Sequence, residues 1–371
     1  MKQPRIAIVH DWLTNMGGAE RVVLALHESF PSAPIYTSVY EPEALPLFKG
    51  LDIRTTRLQK WPRSLRRLHK LFPMLRVKAF HDLDLSEFDI IISSSSAESK
   101  QVQKTRDDQV HICYCHTPIR YYWSHYAEYK KDPGLGKFNW FAKLAMPLLV
   151  PGLKKSDYHA AQNVDVFVAN STEVQNRIRE YYGKSAVVVH PPVDSERFTK
   201  VSKPLSKRSG YVALGRQVPY KRIDLAVAAC SELGLPLTVI GSGSEHERLV
   251  TMAGPTVEFV EGASDEAVAA YLGSAKGFIF PAEEDFGIVQ VEALAAGTPV
   301  IAYASGGSKD IVKDGEGGVT FDTQSVESLQ TALMTAEKTS FEPAKLQRIA
   351  KRFHKSLFIT KIRKIVSDQQ T

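Results

Sequence analysis

Short runs of β-branched residues, apolar almost from end to end, recur along this chain between longer segments of helical period. In the first half they read RIAIVH, FDIIIS, VHICYCH, VDVFVAN and AVVVHP, and in the second GYVALGR, LTVIG, VEFV, KGFIFP and PVIAY. A strand that is apolar on both faces must be covered on both, which a parallel sheet with helices returning over it achieves. The class is therefore α/β. The 371 residues suit two domains better than one core. The run SERFTKVSKPLSKRSG, residues 195–210, is polar and basic and precedes a fresh strand at Tyr211, which marks the boundary. Residues 1–195 and 205–350 are expected to form two doubly wound, Rossmann-like domains, with a helix in 351–371 packing back toward the first. Ligands bind such sheets at the carboxyl ends of the strands, so a cleft faced by both domains is the expected site.

Apolar residues at 43% and charged residues at 24% exclude a disordered, collagen-like or integral-membrane chain. The most apolar stretch, WFAKLAMPLLVPGL, is interrupted by Lys143, Pro147 and Pro151, so no run approaches the length of a membrane span. Ile6 to Val9 is too short for a signal-peptide core. Three cysteines make no disulfide framework and favour a reducing, cytoplasmic setting. The formal net charge of +6 is clustered. Residues 54–81 carry nine Lys or Arg and no acid, interleaved with Leu58, Trp61, Leu65, Leu68, Leu71, Phe72 and Leu75. Such a segment suits an anionic bilayer interface or a lipid-linked acceptor, through Arg63, Arg66, Arg67 and Lys70. The alternative is a solvated helix packed on its own domain. No nucleic-acid-binding module surrounds the segment.

The densest chemistry lies in FPAEEDFGIVQVEALAAGTPVIAY. A strand runs into an acidic loop, a helix starts near Gly287 and ends at Gly297, and Pro299 leads into the next strand. Glu284 falls in the loop and Glu292 about one and a half turns into the helix, both near the carboxyl edge of the sheet. The N–H groups of Phe286, Gly287 and Ile288 at the helix start favour an anion. Two carboxylates that accept from hydroxyls, beside donors for phosphate, suit a nucleotide-sugar; simple helix capping is the plainer alternative. Earlier, YVALGRQVPYKRIDLAV ends a strand in Gly215 and Arg216 and reaches Lys221 before a helix begins. A guanidinium fork and an ammonium point charge together offset a leaving diphosphate, in place of a metal ion. Two solvated loop cations are the alternative.

The pairing of GRxxxxK with a later E-x(7)-E and EALAAGTPVIA resembles the retaining GT-B glycosyltransferases of family four. In the first half, IVHDWLTNMGGAERVV, HICYCHTPIRYYW, VANSTEVQNRI and VVVHPPVD resemble that family's segments too, so the likeness runs from Ile6 to about Phe358. It is nearest to bacterial mannosyltransferase-like enzymes of O-antigen or exopolysaccharide synthesis. The resemblance implies a hexosyltransferase that keeps the anomeric configuration and needs neither cofactor nor metal. Its donor is a nucleotide-diphosphate sugar, GDP-mannose first and a UDP-hexose second; its acceptor is a saccharide or lipid-linked saccharide at the inner face of the cytoplasmic membrane. It gives Arg216 and Lys221 to the diphosphate, Glu284 to the donor-sugar hydroxyls, Glu292 to the ribose diol, and His116 to the sugar or reacting centre. Gly17 and Gly18 would approach the diphosphate, and Val260, Glu261 and Gly262 would meet the base through backbone groups. Two departures stand out. Asp285 replaces a common glycine in Glu284-Asp285-Phe286-Gly287, and Asp310 stands where a glutamate commonly follows Gly306-Gly307.

Other signals carry less. GSGSEH, from Gly241 to His246, starts like a dinucleotide fingerprint but has His246 where the last glycine belongs; a nicotinamide oxidoreductase is thus a remote alternative, as is a non-catalytic GT-B-like binding protein at the membrane. His111, Cys113, Cys115 and His116 lack the spacing of structural zinc sites. Asp82-Leu83-Asp84 has the form of a manganese-binding D-x-D but reads as charge partners of the basic stretch.

Overall fold

A computed structural model describes residues 4–124, 126 and 139–370, arranged in two compact units. The first comprises residues 1–190 and 358–371, the second 191–357.

The first unit is built on seven parallel strands, β1 (Ile6–His10), β2 (Ile35–Thr37), β3 (Ile53–Thr55), β4 (Ile90–Ser95), β5 (Val110–Cys115), β6 (Val166–Ala169) and β7 (Ala186–Val188), in the order β3-β2-β1-β4-β5-β6-β7. The second has six, β8 (Tyr211–Leu214), β9 (Leu237–Ile240), β10 (Val257–Val260), β11 (Gly277–Phe280), β12 (Val300–Tyr303) and β13 (Gly318–Phe321), in the order β10-β9-β8-β11-β12-β13. The two orders are the same pattern. In each, the strands run outward one way from the first strand, then the chain crosses back and builds the other half, which leaves a switch point between β1 and β4 and between β8 and β11. Every residue of β1, β4 and β11 is buried, as central strands covered on both faces require, including the polar ends His10 of β1 and Ser93 to Ser95 of β4. The sequence patterns miss β2, β3 and β13, whose three or four residues carry Thr, Tyr or Arg among the apolar ones.

The second unit begins at Pro191, ahead of the 195–210 run read as the boundary. That run is docked by Arg208, whose guanidinium is buried and donates to the carbonyls of Lys203, Ala275 and Ala296 and to Ser202 and Thr298. Of the run's cations Arg208 is buried and fully satisfied, while Lys200, Lys203 and Lys207 are exposed. The closing helix Lys355–Ser367 places Phe358, Ile362 and Val366 in the core of the first unit with Tyr114 and Val189, and Arg363 donates to the Ser29 carbonyl. No helix among the described residues is long and apolar enough to cross a membrane.

Candidate functional site

In the second unit the loops after β8 and β11 meet at the switch point. Lys221 ends the short turn Pro219–Lys221 and Arg222 follows in a left-handed conformation, φ 50°, before the helix Ile223–Leu233. A non-glycine residue there is strained; the Arg222 amide donates to the Pro219 carbonyl and its guanidinium to Asp224. The Lys221 ammonium forms an ion pair with Glu284 Oε1, both side chains being less than one-fifth exposed. Tyr220 ties the two cations together: Arg216 Nη2 donates to its hydroxyl at 3.2 Å, and Lys221 Nζ lies 5.7 Å from its ring centre. The fold thus brings Arg216, Lys221 and Glu284, more than sixty positions apart at the extremes, to one edge of the sheet.

Glycines let these loops approach. The Gly307 amide donates to the Glu284 carbonyl at 2.8 Å. A Cβ at Gly306, φ 58°, would collide with that carbonyl, and one at Gly307 with Phe286 Cα. The glycine pair is therefore the bed on which the Glu284–Phe286 loop lies. Asp285 and Phe286 are buried in it. Gly287, φ 85°, caps the helix Ile288–Ala295, and the first-turn N–H groups at this end lie outside the helical ladder. Because the helix begins at Ile288, Glu292 stands just over one turn into it, slightly nearer its start than the expected one and a half turns.

The GSGSEH loop finds its reason in packing. A Cβ at Gly241 or Gly243 would strike the carbonyl of Gly215 or Gln217. Gln217 is fully buried; it donates to the Gly241 carbonyl at 2.6 Å and meets His246 Nδ1 at 2.7 Å. His246 Nε2 in turn lies 3.2 Å from Glu261, beside Val260 at the end of β10 and Gly262 with φ 64°. Sequence reasoning missed Gln217; its signal was a polar residue between two cations that the loop had to turn inward.

In the first unit, Gly17 caps the helix Gly18–Ser29, and a Cβ on Gly17 would sit 2.9 Å from Glu20 Oε2. His116 follows β5. Its amide donates to the Ser95 carbonyl and its own carbonyl accepts from Asn170 Nδ2, each at 2.8 Å. Its Nε2 lies 2.8 Å from Ser94 Oγ. Beside it, buried Asp11 accepts from the amides of Ser96, Ala97 and Ser99 and the Ser96 hydroxyl, at 2.7 to 3.0 Å. Burial alone would raise the Asp11 carboxyl, but His10 and these amides outweigh it and hold the carboxyl below its ordinary range. Asp11 lies within the family-like segment IVHDWLTNMGGAERVV, but no role is read for it there, and Ser94 belongs to no recognisable motif; the one local signal is a charged residue directly after a fully buried strand.

The basic stretch folds as short turns and helices, Arg57–Lys60, Arg63–Arg67, His69–Leu71 and Pro73–His81. Leu65, Leu68, Leu71, Phe72, Met74 and Leu75 are exposed along it. Its cations are less free than the absence of local acids suggests. Arg63 pairs with Glu43 at 3.1 Å, Arg66 with Glu41 at 3.2 Å, and Arg76 is buried against Glu98 at 2.7 Å. Lys70 Nζ lies 4.8 Å from the Trp12 ring centre; the side chain of Arg67 lies outside the described residues. Asp82 pairs with Lys78 at 3.4 Å, the charge-partner role read for it. Cys113 and Cys115 pack with Ala161, Phe167 and Tyr182, and burial pushes the Cys113 thiol up to about 12.

Two parallel, helix-covered sheets of this order, each with its candidate residues at the carboxyl edge, define the GT-B class. Comparison with known proteins narrows it. Residues 16–197 match the model of Glycosyltransferase Family 4 and residues 194–353 that of Glycosyl transferases group 1, so each half of the chain is similar to a glycosyltransferase family. The GDP-mannose-dependent alpha-(1-6)-phosphatidylinositol monomannoside mannosyltransferase of Mycolicibacterium smegmatis is 29% identical over 214 residues, 50% of this chain and 56% of that protein. The chain thus spans about half the length of the curated relatives it matches. Sucrose-phosphate synthase from Thermosynechococcus elongatus shares the fold with a TM-score of 0.73 at 18% identity, over 99% of both chains. Anabaena HepE in complex with UDP-glucose does so with a TM-score of 0.69 at 17% identity, over 99% of this chain and 100% of that one.

Proposed function

We propose that this chain is a retaining hexosyltransferase that moves mannose from GDP-mannose to a saccharide or lipid-linked saccharide in bacterial surface polysaccharide synthesis. The observation that carries the reading is the convergence of Arg216, Lys221 and Glu284 at the switch point of the second sheet, beside the start of the helix Ile288–Ala295. In the reaction, the bond from the anomeric carbon to the diphosphate oxygen breaks and the acceptor hydroxyl oxygen takes its place on the same face. The acceptor proton passes to the departing diphosphate, so no side chain need act as nucleophile. Arg216 and Lys221 stabilise the charge developing on the diphosphate, with the helix start adding its N–H groups. Glu284 accepts from the sugar hydroxyls and Glu292 from the ribose diol, while Val260 to Gly262 meet the base. His116 meets the sugar or the reacting centre, and Gly17 and Gly18 approach the diphosphate. The cations supply the charge that a metal ion would otherwise provide, so transfer proceeds without one. The M. smegmatis relative, named for GDP-mannose, supports this donor. A UDP-hexose is the second reading, supported by the UDP-glucose complex of HepE.

The exposed leucines between the cations of residues 63–75 support a peripheral hold on an anionic inner leaflet. The direct test of the reading is incubation of the pure protein with GDP-mannose or UDP-glucose and a panel of saccharide acceptors, with and without EDTA. Proton NMR of the product should show a sugar transferred with its anomeric configuration kept, at an EDTA-insensitive rate. Inversion, or transfer abolished by EDTA, would overturn the mechanism. Replacement of Arg63 and Lys70 by glutamate should weaken binding to phosphatidylglycerol vesicles by roughly fivefold or more per residue; equal binding would remove the membrane role.

A further inference from the structure

The glycosyltransferase reading uses His116 but leaves aside the groups that hold its ring. Ser94, the penultimate residue of β4 next to β5, is fully buried and places its Oγ 2.8 Å from His116 Nε2. Behind it, His10 at the end of β1 sets its Nδ1 2.9 Å from the Ser94 carbonyl oxygen and 3.2 Å from Ser94 Oγ. A carbonyl only accepts, so His10 Nδ1 carries a hydrogen and shares it with both Ser94 oxygens. His10 Nε2 faces Glu20 Oε1 at 3.9 Å, from the first turn of the helix Gly18–Ser29. Burial alone would depress this histidine, but Glu20, Asp11 and the Ser94 carbonyl outweigh it and hold His10 above its ordinary value.

The rest follows from hydrogen-bond accounting. The Ser94 hydroxyl oxygen accepts from His10, so its own hydrogen points to His116 Nε2. That nitrogen becomes the acceptor, and the proton of the neutral His116 ring sits on Nδ1. The ring is further walled by Tyr114, with centres 5.2 Å apart and planes at 66°, and by His10 at 6.4 Å. Residues of three strands, β1, β4 and β5, thus converge on one imidazole.

We propose that Ser94, itself fixed by His10, is a positioning residue that sets the orientation and tautomer of His116 for the transfer step. The proposal rests on the glycosyltransferase reading, in which His116 meets the donor sugar or the reacting centre. Its spectroscopic consequence is independent of activity. In full-length protein labelled with ¹⁵N-histidine, with the His116 signals assigned through His116→Asn, the wild type shows a bare Nε2 and a protonated Nδ1 at neutral pH. Ser94→Ala shifts His116 toward the Nε2–H form. Its kcat falls roughly tenfold or more, while the donor KM stays within about twofold, as expected when a reacting-centre group loses orientation but not substrate. Ser94→Thr, which keeps the hydroxyl, restores both tautomer and kcat; should Ser94→Ala fail to fold, Ser94→Cys, a weaker donor, carries the same comparison. An unmoved tautomer in Ser94→Ala overturns the inference whatever the activity, and so does an unchanged kcat in an active enzyme. A wild type that transfers from no nucleotide-sugar removes the glycosyltransferase reading instead, and with it the role in transfer, while the ring spectrum still decides whether Ser94 holds His116.

Discussion

The two switch points of this molecule are built by opposite means. In the second unit, loops are brought together by removing side chains: Gly241, Gly243, Gly306 and Gly307 each lie where a Cβ would strike a neighbouring backbone. In the first, loops are held by adding buried polar groups: Asp11 gathers three amides and a hydroxyl, and His10 joins Ser94 to Glu20. The first device depends on shape and tolerates no extra atom. The second depends on complete hydrogen bonding and tolerates no missing partner. One sheet order therefore positions its edge in two ways, and the two should fail differently under substitution.

The largest effect expected is on chemistry without loss of fold. Lys221→Ala should lower turnover at least about a hundredfold, the scale of removing one preorganised electrostatic group, while urea midpoints stay close to wild type. Near-normal turnover would remove the second switch point from the active site. Asp11→Ala leaves three amides of the Ser96–Ser99 turn, two of them buried, without an acceptor and should destabilise the protein by roughly 3 kcal/mol or more, measured by urea denaturation. Gly307→Ala should cost about 1 to 3 kcal/mol through overpacking against Phe286 and weaken nucleotide binding by calorimetry as the Glu284 loop is displaced. If Asp11→Ala were tolerated and Gly307→Ala fully functional, the contrast between the two edges would collapse.

The smallest effect concerns pH. His10 is raised above 6.5, so the stability it contributes is present below that value and is lost as pH climbs through its folded value. His111, depressed to about 4 by burial, works in the opposite sense: its contribution is present above 6.5 and fades as pH falls through 4. His10→Gln should flatten the alkaline side of a plot of Tm against pH, and His111→Gln the acid side, each by an amount on the order of 1 kcal/mol. Unchanged slopes would mean that neither histidine is linked to folding.

The contrast also explains what could be read from the sequence. The second site lies in two contiguous stretches, so Arg216, Lys221, Glu284 and Glu292 announce themselves by spacing, and Gly306-Gly307 by family pattern. The fold class was legible because β11 and the leading residues of β1 and β4, Ile6 to Val9 and Ile90 to Ile92, are apolar on both faces. The first switch point was not, since His10 and Ser94 stand 84 positions apart and neither residue type signals a contact. The same limit applies to the basic stretch. Its partners Glu41, Glu43 and Glu98 lie outside the run, so a local count of charges could not pair them.

The central claim is that the edge holding Arg216, Lys221 and Glu284 receives the diphosphate of a nucleotide-sugar. A thermal-shift series with GDP, UDP, dTDP, ADP, CMP, NAD and NADP, with and without magnesium, on wild type and on Lys221→Ala, tests it most directly. The account predicts a magnesium-independent rise of a few degrees with one nucleoside diphosphate, GDP first, corresponding to about 2.7 kcal/mol at a hundred times its dissociation constant, and its loss in Lys221→Ala. No shift with any nucleoside diphosphate, or an equal shift in the variant, would contradict it.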